Sequence, residues 1–166
     1  MKTLESDLDT CLIFKIDRET FGVNVSKVVE ILEVPHITKI PKAPAYIRGV
    51  INLRGTVLPV VDTRIKFGLA PVNDTASTCI IVLSIDCGAE NTTVGVLVDE
   101  VKAVLEINES TLAAVPKIGG KYDSEYLKGF TSQGDDFVMM LNIDKVFASK
   151  DIVNLKDHMA ATNPIA

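Results

Sequence analysis

At 166 residues, 47% hydrophobic and 23% charged, the chain is the size of one ordinary domain with room for a sizeable core, and its composition is unlike that of a disordered segment. No apolar run reaches the roughly 18 to 20 residues that cross a bilayer, and the acidic start MKTLESDLDT lacks the apolar region of a secretory signal, so a cytosolic protein with no direct membrane insertion is expected. The net charge of −5 weighs against a nucleic-acid partner, although the stretch from His36 to Ala70 sets six basic residues (Lys39, Lys42, Arg48, Arg54, Arg64, Lys66) against one acid, Asp62. Such a region suits either a protein partner or the solvated rim of a sheet.

In chain order, CLIFKI, FGVNV, GVINL and TVLPVV are short, β-branched runs between turn residues, the pattern of strands in a small barrel covered on both faces. Ser26 is placed to cap a brief helical turn over Lys27 to Leu32. Gly49, Arg54 and Gly55 are assigned to turn and hairpin structure, with Arg54-Gly55 as the tight turn between GVINL and TVLPVV because glycine supplies positive φ. Pro59 cannot donate to a ladder, which puts its segment at a sheet edge or a bulge. Asp62 caps a second helical turn, Thr63 to Phe67, that stops at Gly68. The turn-rich APVNDTAST leads to another apolar run, CIIVLSID. Near the C-terminus, SKDIVNLKDHMAA places Ile152, Leu155 and Met159 at helical spacing behind a Ser149 cap, a helix expected to pack on the barrels.

The chain repeats itself. FGVNVSKVVEIL (21–32) aligns without a gap with VGVLVDEVKAVL (94–105) at an offset of 73. YIRGVINLRGTVLPVVDTRIKF (46–67) aligns with YLKGFTSQGDDFVMMLNIDKVF (126–147) at an offset of 80. CLIFKID precedes the first pair and CIIVLSID its counterpart, so three matches fall in the same order. Two related halves follow, 10–70 and 78–148, read as the first and second barrel half with the exact boundaries and any crossing of terminal strands between barrels left open, and 149–166 as a C-terminal helix and tail.

Little points to catalysis. His36 and His158 are the only histidines, no cluster has metal-ligand spacing, and the nucleotide and nucleophile motifs are missing. IGG at 118–120 reads as a loop rather than a phosphate cradle. Cys11, Cys79 and Cys87 lack C-x-x-C spacing and read as reduced, core-type thiols. No catalytic residue, metal or cofactor is nominated, and an enzyme is not expected. The alternative is a small barrel binding nucleic acid or a ligand, but aromatics are only 5% of the chain with no Trp, too few for base-stacking platforms.

FGVNVSKVVEIL, PAYIRGVINLRGTVLPVVDTRIKFG, VGVLVDEVKAVL and EYLKGF together resemble the CheW family of chemotaxis coupling proteins, over about residues 10 to 148. The resemblance implies a mainly all-β fold of two SH3-like five-stranded barrels packed together, with short helices. It also implies a non-enzymatic adaptor, cytoplasmic and recruited to receptor arrays at the membrane, that joins the cytoplasmic tip of a methyl-accepting chemoreceptor to the regulatory domain of the histidine kinase CheA. By the same resemblance Leu12, Val25, Val28, Ile31 and Val101 match a receptor-binding groove between the barrels, and Glu30 with Arg54 forms a pair holding the hairpin against the first helical turn. Kinase-contacting residues are not nominated; that contact is expected at the far end of one barrel.

Overall fold

The β-branched runs become ten strands among the residues described by this computed structural model, 8–86, 91–114 and 126–147. They are β1 (Asp9–Ile16), β2 (Glu19–Asn24), β3 (Val28–Glu33), β4 (Ile47–Leu53), β5 (Thr56–Asp62), β6 (Cys79–Asp86), β7 (Asn91–Val98), β8 (Glu100–Ile107), β9 (Leu127–Gln133) and β10 (Asp136–Leu141). Two one-turn helices, α1 (Thr63–Lys66) and α2 (Ile143–Val146), follow β5 and β10. The helix expected over SKDIVNLKDHMAA, like Cys87 and the IGG loop, lies outside the described residues.

The strands form two five-stranded sheets, ordered β3-β6-β7-β5-β4 and β8-β1-β2-β10-β9. The first is made from one stretch of chain and is here termed the continuous barrel; the second takes its strands from both ends of the sequence and is termed the split barrel. This corrects the expected division. Residues 10–70 and 78–148 are repeats, but neither builds a barrel alone, because each contributes two strands to one sheet and three to the other. Repetition reveals which segments are equivalent and leaves open which copy pairs with which. Between successive strands the chain changes barrel twice, from β2 to β3 and from β7 to β8.

That exchange explains why apolar residues fall on both parities. In β1, Leu12, Phe14 and Ile16 join the largest core, which is shared between the barrels, while Cys11 and Ile13 fill the split barrel. In β6, Ile81, Leu83 and Ile85 face the shared core, and Ile80 and Val82 the continuous barrel. Each of these strands is therefore buried on both faces.

Backbone devices recur in both halves. Gly49 and Gly129 have φ of 152° and 151°, and a Cβ at either would overlap the carbonyl of Thr38 or Ala113. Those two residues bridge Val50 and Phe130, bringing the segment after β3 onto β4 and the segment after β8 onto β9. Gly49 is thus a close-approach glycine beside a bulge, not a turn residue as expected. The hairpin turn is Arg54-Gly55, both at positive φ (50° and 85°), the type I′ requirement, with the Gly55 N–H donating to Asn52 Oδ1 at 2.8 Å.

Other expectations divide. Asp62 caps α1, its carboxylate accepting from the Arg64 and Ile65 N–H groups, and Gly68 follows at φ 81°. Ser26 caps nothing: Asn24 caps a three-residue 3-10 turn, Val25–Lys27, and Val28 to Leu32 belong to strand β3, because pairing with β6 overrides a weak local helix signal. Pro59 lies in an inner strand, not at an edge. It stands opposite Val50, whose own N–H and C=O bond Thr38, and the parallel ladder to β7 begins only at Val60, so no bond needs the missing proline N–H.

Candidate protein-binding groove

Val28 opens β3 opposite Leu83, and Val101, near the start of β8, stands opposite Phe14; Leu83 and Phe14 both belong to the shared core. Both valines are half-buried against that core, as is Val25 in the 3-10 turn before β3. The repeat offset of 73 relates Val28 to Val101, so equivalent positions of the two halves meet the rim of the same core. Next to each valine the pairing skips a residue, Val29 in β3 and Lys102 in β8. A bulge of this kind turns its extra residue away from the regular alternation. Val29 is 54% exposed and Ile31, two positions on, 44%, so β3 presents apolar side chains to solvent beside the half-buried valines.

Glu30 and Arg54 form an ion pair, with Arg54 largely exposed. β3 and β4 are the two edges of the continuous barrel's strand order, so the pair ties the β4–β5 hairpin tip to the opposite edge, with β3 rather than a helical turn as its anchor. Leu12 departs from its expected place. At 3% exposure it is a shared-core residue and supports the rim from beneath, out of reach of a binding partner. Its alternation in β1 with Phe14 and Ile16 is the signal that marks it as core.

The electrostatics add contacts that sequence reading missed. Arg64 of α1 grips Asp99 with two nitrogens, Nη2 to Oδ2 at 2.7 Å and Nε to Oδ1 at 3.1 Å, and reaches Asp17 at 3.3 Å. The Asp99 bond, against a smaller effect of burial, holds the guanidinium above its ordinary pKa. Across the molecule Asp144 of α2 accepts from Lys27 Nζ at 3.0 Å and from the Asp86 N–H at 3.0 Å. Arg48 pairs with Asp62 and Asp74, each at 3.2 Å. Lys66 lies 4.5 Å from the centroid of the Tyr46 ring. At least three of the six bases in the basic stretch, Arg48, Arg54 and Arg64, are therefore engaged by carboxylates, and the stretch does not form a wholly free cationic patch.

Glu109 accepts from Lys128 at 2.8 Å and Asn24 at 2.7 Å. Burial pushes its carboxyl up, and the two hydrogen bonds with the lysine charge outweigh that and hold it below the usual range. Burial, reinforced by Glu109 and Asp9, pushes the Cys11 thiol up to about 11, as a core thiol should behave. A concavity of about 610 Å³ opens between the 39–48 and 71–74 segments, and none of the seven nominated groove residues lines it. Arg48 and its two carboxylates lie along its wall, whereas the rim of valines is open.

The CheW-like domain family matches residues 10–151. The chain belongs to the CheW family. It is 32% identical to a chemotaxis protein CheW of Klebsiella aerogenes over 152 residues, covering 92% of this chain and 89% of that one. It is 31% identical to a CheW of Thermotoga maritima over 148 residues, covering 88% and 93%. A crystal structure of the scaffolding protein CheW from Thermoanaerobacter tengcongensis superposes with a TM-score of 0.76 at 26% identity, covering 87% of this chain and 90% of that chain. With two SH3-like five-stranded barrels and this family membership, the protein is a chemotaxis coupling adaptor. No helix among the described residues is long and apolar enough to cross a membrane.

Proposed function

We propose that the protein joins the cytoplasmic tip of a methyl-accepting chemoreceptor to the regulatory domain of the kinase CheA in the cytoplasm, at membrane-associated arrays, without catalysing a reaction. A helical receptor tip lies against Val25, Val28, Ile31 and Val101, with Glu30 and Arg54 at the margin of its path. The observation that supports this reading best is the placement of Val28 and Val101, half-buried and repeat-related at the rim of one core. Fully burying such a side chain contributes roughly 1.5 to 3 kcal/mol, and residues already half-buried contribute about half of that. For the four apolar residues that is about 3 to 6 kcal/mol, which association costs of about 4 to 15 kcal/mol offset, so an isolated receptor fragment should bind weakly and retention should depend on a multivalent array.

Titration calorimetry of the full chain with a receptor tip fragment tests this. Val28→Asp, Val101→Asp and Ile31→Asp should each abolish the heat of binding while leaving the circular dichroism spectrum and melting temperature near those of the parent. Unchanged binding by all three, or unfolding of the valine variants, places these residues outside the interface. The nucleic-acid alternative has its own check, since a gel shift with single-stranded oligonucleotide should show no complex.

A further inference from the structure

Each of the two places where the chain changes barrel carries an ion-paired node, and the two nodes have opposite polarity. At the β7–β8 crossing Asp99 is held by Arg64, which leads out of the continuous barrel, and accepts the N–H of Asp17 in the β1–β2 turn of the split barrel at 2.6 Å. At the β2–β3 crossing Lys27 is held by Asp144, which leads out of the split barrel, and Asp144 accepts the N–H of Asp86 where β6 of the continuous barrel ends. Arg64 and Asp144 are equivalent by the offset of 80, and Asp17 and Asp86 close the matching runs CLIFKID and CIIVLSID. The nodes are related but not identical: the helix residues are repeat-equivalent, whereas at the crossings the offset of 73 matches Asp99 with Ser26 and Lys27 with Glu100, and the base lies on the helix in one node and at the crossing in the other. The Arg64 side chain is 15% exposed and its contact with Asp99 is bidentate, which limits screening and fixes orientation.

The residues that follow these nodes are the groove valines: Val28 is next to Lys27, and Val101 is two positions after Asp99. We propose that Arg64–Asp99 and Asp144–Lys27 are positioning pairs that set where Val101 and Val28 stand relative to each other, and so the width of the receptor groove, without touching the receptor. The proposal rests on the groove reading above. Each node sits on a covalent crossing and also grips a turn or strand end of the opposite barrel, so loosening it lets that crossing shift against the shared core.

Methyl NMR of the full-length free protein reads the positions without any ligand. Arg64→Ala should move the Val101 methyl resonances more than those of Val28, and Asp144→Ala the reverse. Arg64→Ala should also weaken binding of a receptor tip fragment about tenfold, the loss of one charge-assisted contact. The decisive variant combines Arg64→Asp with Asp99→Lys, which gives the first node the composition of the second; it should return both the Val101 resonances and the affinity toward the parent values. Val101 methyls unmoved by Arg64→Ala, or a folded double variant that stays at the single-variant level, overturns the proposal. Where Arg64→Ala does not fold, Arg64→Lys keeps the charge, loses the bidentate contact and answers through the same Val101 shift. A parent protein that fails to bind the fragment counts against the receptor groove, while the methyl shifts still decide the positioning role.

Discussion

The continuous and split barrels have the same strand order once repeat-equivalent strands are matched, and they differ at their rims. Gly49 and Gly129, the bulges at Arg48 and Lys128, and the caps Asp62 and Asn142 occupy equivalent places with nearly identical geometry. The hairpin tip is another matter. Arg54 and Glu30 close the continuous barrel with an ion pair, whereas their equivalents in the split barrel are Gly134 and Ala103, which cannot form one. The split barrel instead presents Phe137, 61% exposed and edge-on to Phe130 at 5.4 Å between centroids, and anchors Lys128 on Glu109. Where positive φ coincides with a carbonyl pressed against the missing Cβ, as at Gly49 and Gly129, only glycine fits and the positions stay alike; the hairpin tips share positive φ but have open space around them, and the rims carry the asymmetry between the barrels.

The strongest test of the shared backbone is Gly49→Ala, which combines strained φ with a clash against the Thr38 carbonyl and should cost about 3 to 4 kcal/mol in urea melts. Gly129→Ala should cost less, since its carbonyl neighbour is 2.6 Å from the added carbon, further than at Gly49; the reverse order would mean the barrels do not tolerate strain in the same way. Leu12→Ala should remove about 3 kcal/mol from a single cooperative transition seen by probes in either barrel. Separate melting of the split barrel would show that the shared core does not unite the two.

Acidity separates the rims. The folded carboxyl of Glu109 titrates below its ordinary value of 4.5, so between those points the unfolded chain binds more protons and stability falls as pH drops through that window. Glu109→Gln should therefore be less stable than the parent by about 1 kcal/mol at neutral pH and close the gap on acidification, as followed by thermal melts between pH 7 and 3. Arg54→Ala should be the mildest change, under about 1 kcal/mol, because the pair is exposed.

Strand identity, duplication, the Asp62 cap and the Arg54-Gly55 turn were legible because each rests on local chemistry: β-branched runs, a capping carboxylate, a glycine at positive φ. Pairing was not. Nothing within residues 11–24 distinguishes β8 from β6 as the neighbour of β1, since the two repeats present equivalent edges. For the same reason Leu12, matched to the groove, lies in the core; Pro59, expected at an edge or a bulge, lies in an inner strand close to the bulge at Arg48. The ion pairs of Arg64 and Asp144 join residues 35 to 117 positions apart, a distance at which sequence pattern carries no signal.

The split barrel has a consequence for synthesis on the ribosome. Its first hairpin, β1–β2, is made before any other strand of the two barrels, yet the strands that cover it, β8 and β10, arrive only after the whole of the continuous barrel has been made. At about 5 to 20 residues per second that is a wait of several seconds with Cys11 and Ile13, which pack on Ile107, Val138 and Met140, uncovered on the split-barrel face. Nascent chains therefore complete the later-encoded barrel before the earlier-encoded one, and a stall between residues 98 and 127 leaves an apolar hairpin open to chaperones or to neighbouring chains.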